Sequence, residues 1–169
     1  MSICTRVLDC YDNHASSNIV DKLAAVLSNE DPTMMKASRK FWSDWFSDKI
    51  VGEKITIATE HKSHNMFVGV VRFWKTPYCN NKWLIEGLEV VPVFRRKGIG
   101  SSMLVCGLEN ARNLGIEKVS ANIARNNIPS INIFEKLGFV KISSGSINSL
   151  GEYREYVDEY ALTLELRYS

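Results

Sequence analysis

Three consecutive cations, Arg95, Arg96 and Lys97, run directly into Gly98-Ile99-Gly100-Ser101. That order of residue types suits the capture of an anion. The segment before it, Leu88-Glu89-Val90-Val91-Pro92, is strand-like and mostly apolar, and the chain after it continues with helical spacing. A strand, a glycine turn and a helix start together aim unpaired backbone N–H groups at one point, where the helix dipole adds about half a positive charge. Glycine lets the backbone approach a phosphate closely and supplies positive φ where the turn requires it. Cations at a helix start are disfavoured by roughly 0.3–1 kcal/mol each, so three of them there imply a polyanionic ligand. Two carboxylates, Glu86 and Glu89, stand on the strand that enters this turn. Their three-residue separation on a regular strand puts them on opposite faces, so at most one can point into a given cleft.

The spacing separates this turn from other phosphate motifs. A Walker loop needs Gly-x-x-x-x-Gly-Lys-Ser/Thr, which the chain lacks, and a dinucleotide fingerprint needs a third glycine where Met103 stands. What remains is Arg95-x-x-Gly98-x-Gly100, which resembles the Arg/Gln-x-x-Gly-x-Gly/Ala signature of the GNAT superfamily of N-acetyltransferases. A basic surface turn could carry the same residues, but a second string favours the family. Asn127-Ile128-Pro129-Ser130-Ile131-Asn132-Ile133-Phe134-Glu135-Lys136-Leu137-Gly138-Phe139 reads as one capped helix, with Asn127 as N-cap, Pro129 in the first turn and Gly138 as a left-handed stop. It is similar to the family's second signature, Asn-x-x-Ala/Ser-x-x-x-Tyr/Phe-x-Lys-x-Gly-Phe, at the expected distance downstream.

The resemblance implies an acetyltransferase that takes acetyl-CoA as cosubstrate. The N–H groups of Arg96, Lys97, Gly98, Ile99, Gly100 and Ser101 would cradle the pyrophosphate, with the side chains of Arg95, Arg96 and Lys97 within reach of phosphates. The pantetheine arm would lie along Leu88 to Val90 like an added strand, with a backbone N–H near Val90 facing the thioester oxygen. Asn127 and Phe134 would contribute from the second helix. The implied reaction is direct attack by a primary amine. An alkylammonium, with a pKa near 10.4, must first lose a proton, and a carboxylate can accept it, directly or through water. Glu86 is favoured over Glu89 because several family members carry an acid at its position. Many relatives protonate the departing thiolate with a tyrosine where this chain has Phe134. A thiol pKa near 8.5 makes that loss worth only about 2 kcal/mol, and water, Tyr153, Tyr156 or Tyr160 could substitute. A small-molecule amine is the expected acceptor. A protein or peptide amine is the alternative, and a coenzyme-binding module without catalysis is a third reading.

At 169 residues with 45% hydrophobic and 24% charged residues, the chain reads as one soluble domain, residues 1–169. A net charge of only +2 gives no general case for nucleic acid or an anionic membrane. Cys4, Cys10, Cys79 and Cys106 form no Cys-x-x-Cys pair and no zinc-like spacing with His14, His61 or His64, so neither metal nor disulfide is expected. Nothing in the sequence reaches membrane-spanning length, and the protein reads as cytoplasmic, with a homodimer suggested by the family.

The elements that must position these residues follow from periodicity. Residues 3–9 read as a strand. Ile19 to Leu27 form a helical stripe, and Asp31-Pro32 opens a second helix whose face is Met34, Met35, Ser38, Phe41, Trp42, Trp45 and Phe46. Most of that aromatic stripe is expected in the core, with Trp42, Trp45 or Phe46 at the edge of an acceptor pocket as the functional alternative. Lys54–Glu60 and Asn65–Trp74 form a hairpin whose link places His61 and His64 in solvent. Trp83–Val91 leads into the turn, a helix covers Gly98–Asn113, and Glu117–Ala124 and Phe139–Ile142 are strands. Residues 143–151 read as a flexible loop, and the chain closes on a strand alternating Tyr160, Leu162, Leu164, Leu166 and Tyr168 against Ala161, Thr163, Glu165 and Arg167. By resemblance the fold is α/β (α+β), a mixed, mostly antiparallel twisted sheet of about seven strands flanked by about four helices.

Overall fold

The computed structural model describes residues 3–8, 17–28, 31–47 and 49–165. Within them run β1 (Ile3–Leu8), α1 (Ser17–Ser28), α2 (Pro32–Phe46), β2 (Glu53–His61), β3 (Met66–Lys75) and β4 (Trp83–Val90). These are followed by α3 (Ile99–Asn113), β5 (Lys118–Ala124), α4 (Ile128–Lys136), β6 (Val140–Ser143), β7 (Ser146–Ile147), β8 (Tyr153–Arg154) and β9 (Val157–Thr163). Seven strands form one sheet in the order β1-β2-β3-β4-β5-β9-β6. It is mostly antiparallel, with β4 and β5 parallel through Leu84↔Ser120 and Ile85↔Ala121. The expected mixed sheet with four flanking helices is what the chain forms.

The chain gathers into two compact units, one of residues 1–51, 55–72 and 87–106, the other of 52–54, 73–86 and 107–169. In the first, α2 starts where Asp31 accepts hydrogen bonds from Thr33 N–H (2.8 Å) and Met34 N–H (3.2 Å), with Pro32 at its first position. This cap satisfies two of the donors that a helix start leaves orphaned. Trp42 and Trp45 are each 1% exposed, whereas Met34 at 50% lies outside the core. Trp45 Nε1 donates to Thr56 Oγ1 on β2 at 2.9 Å, so the aromatic face is pinned as well as buried. Ile99, Met103 and Leu104 of α3 are buried.

In the second unit, β5 pairs with β9 from Lys118↔Thr163 to Ala124↔Val157, and β6 pairs with β9 on the other side. Three expectations fail here and in the β2–β3 link. His61 is not solvated: it is the last residue of β2, pairs with Ile3, is 5% exposed and meets the Phe94 ring edge-on at 5.6 Å. His64 is exposed, as expected. Residues 143–151 are not loose, because β7 pairs with β8, Thr76 Oγ1 donates to Ser149 O at 2.6 Å, and Asn148 Oδ1 accepts from Leu150 and Glu152 N–H. The closing strand alternates only from Leu162 to Glu165, not at Tyr160 and Ala161. Asp158, Glu159, Tyr160 and Ala161 are all buried, and the two acids are paired there, Asp158 with Arg125 and Lys141 and Glu159 with Lys82. Leu166 and Tyr168 lie outside the described residues, as does Cys10. Cys4, Cys79 and Cys106 are free thiols, of which Cys79 is buried and Cys4 and Cys106 are half-buried.

Candidate active site

Local rules build the turn after β4. Val91 N–H donates to Val68 O at 2.9 Å, which holds the chain on the sheet up to the proline. Pro92–Phe94 then makes a single 3-10 turn, closed by Arg95 N–H on Pro92 O at 3.1 Å. Arg95 folds back so that its Nε donates to Val90 O at 2.8 Å, a brace across the turn that the sequence did not reveal. Arg96 (φ 62°) and Gly98 (φ 77°) both take the left-handed conformation. Alternating handedness in successive residues curls the backbone into a concave row of N–H groups.

α3 begins at Ile99, and Ser102 N–H donates to Gly98 O at 2.9 Å. The N–H groups of Ile99, Gly100 and Ser101 therefore have no partner in the helix. A Cβ on Gly98 would meet no atom within 4 Å, so the cradle is open on that side. Glycine is needed there for its φ rather than for space. Arg95, Arg96 and Lys97 are exposed, no acid sits in the first turn of α3, and Lys97 Nζ lies 5.3 Å from the Phe94 ring centroid. Among the described residues none of the three cations makes an ion pair. The residues present suit a diphosphate: open amides, a favourable dipole and uncommitted positive charge.

Leu88, Glu89 and Val90 are half-buried on β4, and the residue before them, Gly87, has φ 59°. A left-handed residue inside a strand breaks the two-residue alternation. The expectation that Glu86 and Glu89 face opposite sides therefore loses its basis, since it assumed a regular strand. Glu86 is half-buried on the same strand.

The second signature folds as read. Asn127 Oδ1 accepts from Ser130 N–H at 3.3 Å, Ile131 N–H donates to Asn127 O at 3.0 Å, and Gly138 has φ 91°. Phe134 is 4% exposed and packs edge-on against Phe139, centroids 5.0 Å apart. Tyr160 is 5% exposed, whereas Tyr153 and Tyr156 are 66% and 73% exposed. The structure thus brings Leu88 to Ser101 together in one unit and places Glu86, Asn127 and Phe134 in the other. Sequence reasoning missed Arg72 and Phe94. Arg72 carried a signal, as the lone charge in the run Met66–Trp74.

An α/β sheet whose fourth strand leads into an open, cationic helix start presents a geometry suited to a phosphate anion. The family is settled by comparison: the model of the acetyltransferase (GNAT) family matches residues 21–139, and the chain belongs to that family. The Bacillus subtilis (strain 168) protein YwnH, provisionally named a phosphinothricin acetyltransferase, is 30% identical over 99 residues. That match covers 58% of this chain and 60% of YwnH, so the chain spans less than two thirds of that relative. Among solved structures, aminoglycoside 6′-acetyltransferase type Ii aligns with a TM-score of 0.70 at 17% identity, covering 97% of this chain and 99% of that one. The paia N-acetyltransferase of Thermoplasma acidophilum, solved in complex with coenzyme A, aligns with a TM-score of 0.61 at 15% identity over 96% and 99%. At these identities the likeness to solved structures is one of fold.

Proposed function

We propose that this protein is an acetyl-CoA-dependent N-acetyltransferase that acylates a primary amine of a small molecule by direct attack within a ternary complex. The observation that carries the reading is the open amide cradle from Arg96 to Ser101, flanked by three cations without carboxylate partners among the described residues. The diphosphate of acetyl-CoA fits that cradle. Leu88 to Val90 would hold the acyl arm by backbone hydrogen bonds, and Asn127, whose Oδ1 is used as a helix cap, retains its amide N–H groups for the carrier. Glu86 takes the proton from the incoming ammonium, with Glu89 as the second candidate. Phe134 has no proton to give, and the thiolate leaves on water or on a tyrosine hydroxyl. The whole chain, residues 1–169, acts as one cytoplasmic domain. A homodimer would use the sheet edge at β6, where Val140 and Ile142 are 62% and 47% exposed.

The test is release of coenzyme A when acetyl-CoA meets a panel of amines. Glu86→Gln should lower kcat about 100-fold or more while leaving acetyl-CoA affinity within about twofold. A rate close to that of the wild type removes Glu86 from the mechanism. Acetylation of peptide amines in preference to the small-molecule panel would replace the acceptor assignment.

A further inference from the structure

Arg72 on β3 is held by aromatic rings from α2. Its Cζ lies 4.5 Å from the Phe41 ring centroid, 5.1 Å from that of Trp45 and 5.9 Å from that of Trp42. The rings order one another, with Phe41 and Trp42 edge-on at 5.2 Å and Trp42 and Trp45 edge-on at 6.4 Å. Trp45 is fixed in addition by its bond to Thr56. The same guanidinium lies against β4, where a Cβ at position 87 would stand 2.8 Å from Nη2 and 3.0 Å from Nε.

We propose that Arg72 is a positioning residue for acetyl transfer, a planar wedge that holds β4 in its left-handed kink at Gly87 and so sets the line of Leu88 to Val90. The inference rests on the N-acetyltransferase reading, in which that segment carries the acyl arm. Glycine visits positive and negative φ about equally; its presence permits the kink but does not select it. Arg72 selects it by filling the space beside Gly87. Only a flat, delocalised cation can stack on the rings of α2 and still present an edge to the strand, and a lysine ammonium is a strongly hydrated point charge. The diphosphate turn has an anchor of its own, Val91 N–H on Val68 O of β3. Loss of the wedge should therefore misalign the acyl end while the carrier still binds.

The experiment compares Arg72→Lys and Arg72→Met with the wild type by steady-state kinetics, acetyl-CoA calorimetry and amide hydrogen exchange. Both variants should lose about 10- to 100-fold in kcat, because a displacement of about 1 Å at the reacting centre suffices for that. The KM for acetyl-CoA should stay within about threefold of the wild type, and the amides of Gly87 to Val90 should exchange faster. A kcat within about twofold of the wild type, or a loss carried by KM alone, overturns the role. Unchanged exchange at those amides overturns it too. Should an Arg72 variant fail to fold, Phe41→Leu removes the nearest ring and should give a smaller loss confined to kcat, about three- to tenfold; an unchanged kcat there overturns the wedge. Wild-type protein that binds no acetyl-CoA overturns the enzyme reading and this role with it, whereas wild-type turnover with indifferent variants overturns this role alone.

Discussion

The cations at the start of α3 and the cations around Asp158 are placed by opposite logic. Asp158 on β9 is 4% exposed and is held by Lys141 Nζ at 2.5 Å, Arg125 Nε at 2.7 Å and Gly145 N–H at 3.3 Å. Every positive group there answers a buried negative one, since an unpaired charge in that place would be expensive. Arg95, Arg96 and Lys97 stand in solvent at a helix end that repels them, with no carboxylate among the described residues to offset the cost. One cluster is complete within the chain and serves the fold. The other lacks its anion, and under the proposed function acetyl-CoA supplies it. A charge that finds its partner at home is structural; a charge left without one points to a ligand.

Charge reversal should separate the two clusters most sharply. Arg96→Glu with Lys97→Glu keeps the Arg95 brace and removes two charge-assisted contacts, so acetyl-CoA affinity should fall by about 100-fold or more in calorimetry. The melting temperature should hold or rise slightly, because acids at a helix start suit the dipole. A loss of stability together with affinity would mean that the cations are structural after all, and the contrast would collapse.

Asp158→Asn should behave in reverse. Removing the buried negative charge breaks both ion pairs and leaves the half-exposed Lys141 and Arg125 repelling each other, so the melting temperature should drop by several degrees with acetyl-CoA binding little changed. The same carboxylate sets an acid limit. The hydrogen-bonded Lys141 ammonium holds it down at about 2, burial opposes that shift, and Arg125 and Gly145 N–H assist it. A carboxyl depressed in the folded state contributes stability that is fully present above its unfolded pKa, about 3.9, and is lost as pH falls through about 2. Denaturation midpoints measured from pH 5 down to about pH 2 should decline more steeply for the wild type than for Asp158→Asn. Parallel curves would remove Asp158 as the titrating anchor.

These contrasts follow the line between what the sequence disclosed and what it concealed. The open turn was legible because its chemistry is local: Pro92, Gly98 and the run of cations fix strand end, φ and charge within a few residues. The cap at Asn127 and the stop at Gly138 were legible for the same reason. The Asp158 cluster was not, since Lys141, Arg125 and Asp158 come together only when β5 and β6 both pair with β9. The burial of His61 was not legible because the residues that cover it, Ile3 across the sheet and Phe94, lie far from it along the chain. Glu86 and Glu89 escape strict strand alternation because Gly87 between them takes a left-handed φ, which the sequence permits but does not announce. Phe134 was read as a missing acid, and the structure gives it a packing role against Phe139 as well.

The smallest expected effect tests why position 98 is glycine. A methyl group added there would strike nothing within 4 Å, so Gly98→Ala creates no clash in the protein. Its cost is conformational: φ 77° lies where an L-residue is disfavoured by roughly 1–2 kcal/mol. Stability should fall by about that amount if the turn keeps its shape. If the turn relaxes instead, stability should hold and acetyl-CoA affinity should drop by about tenfold, because the amides no longer converge. Either outcome keeps Gly98 in the cradle, and the pair of measurements says which way the strain is released. A variant unaltered in both stability and affinity would mean that the left-handed turn has no part in holding the carrier, and the distinction between a complete cluster and an open one would lose its clearest instance.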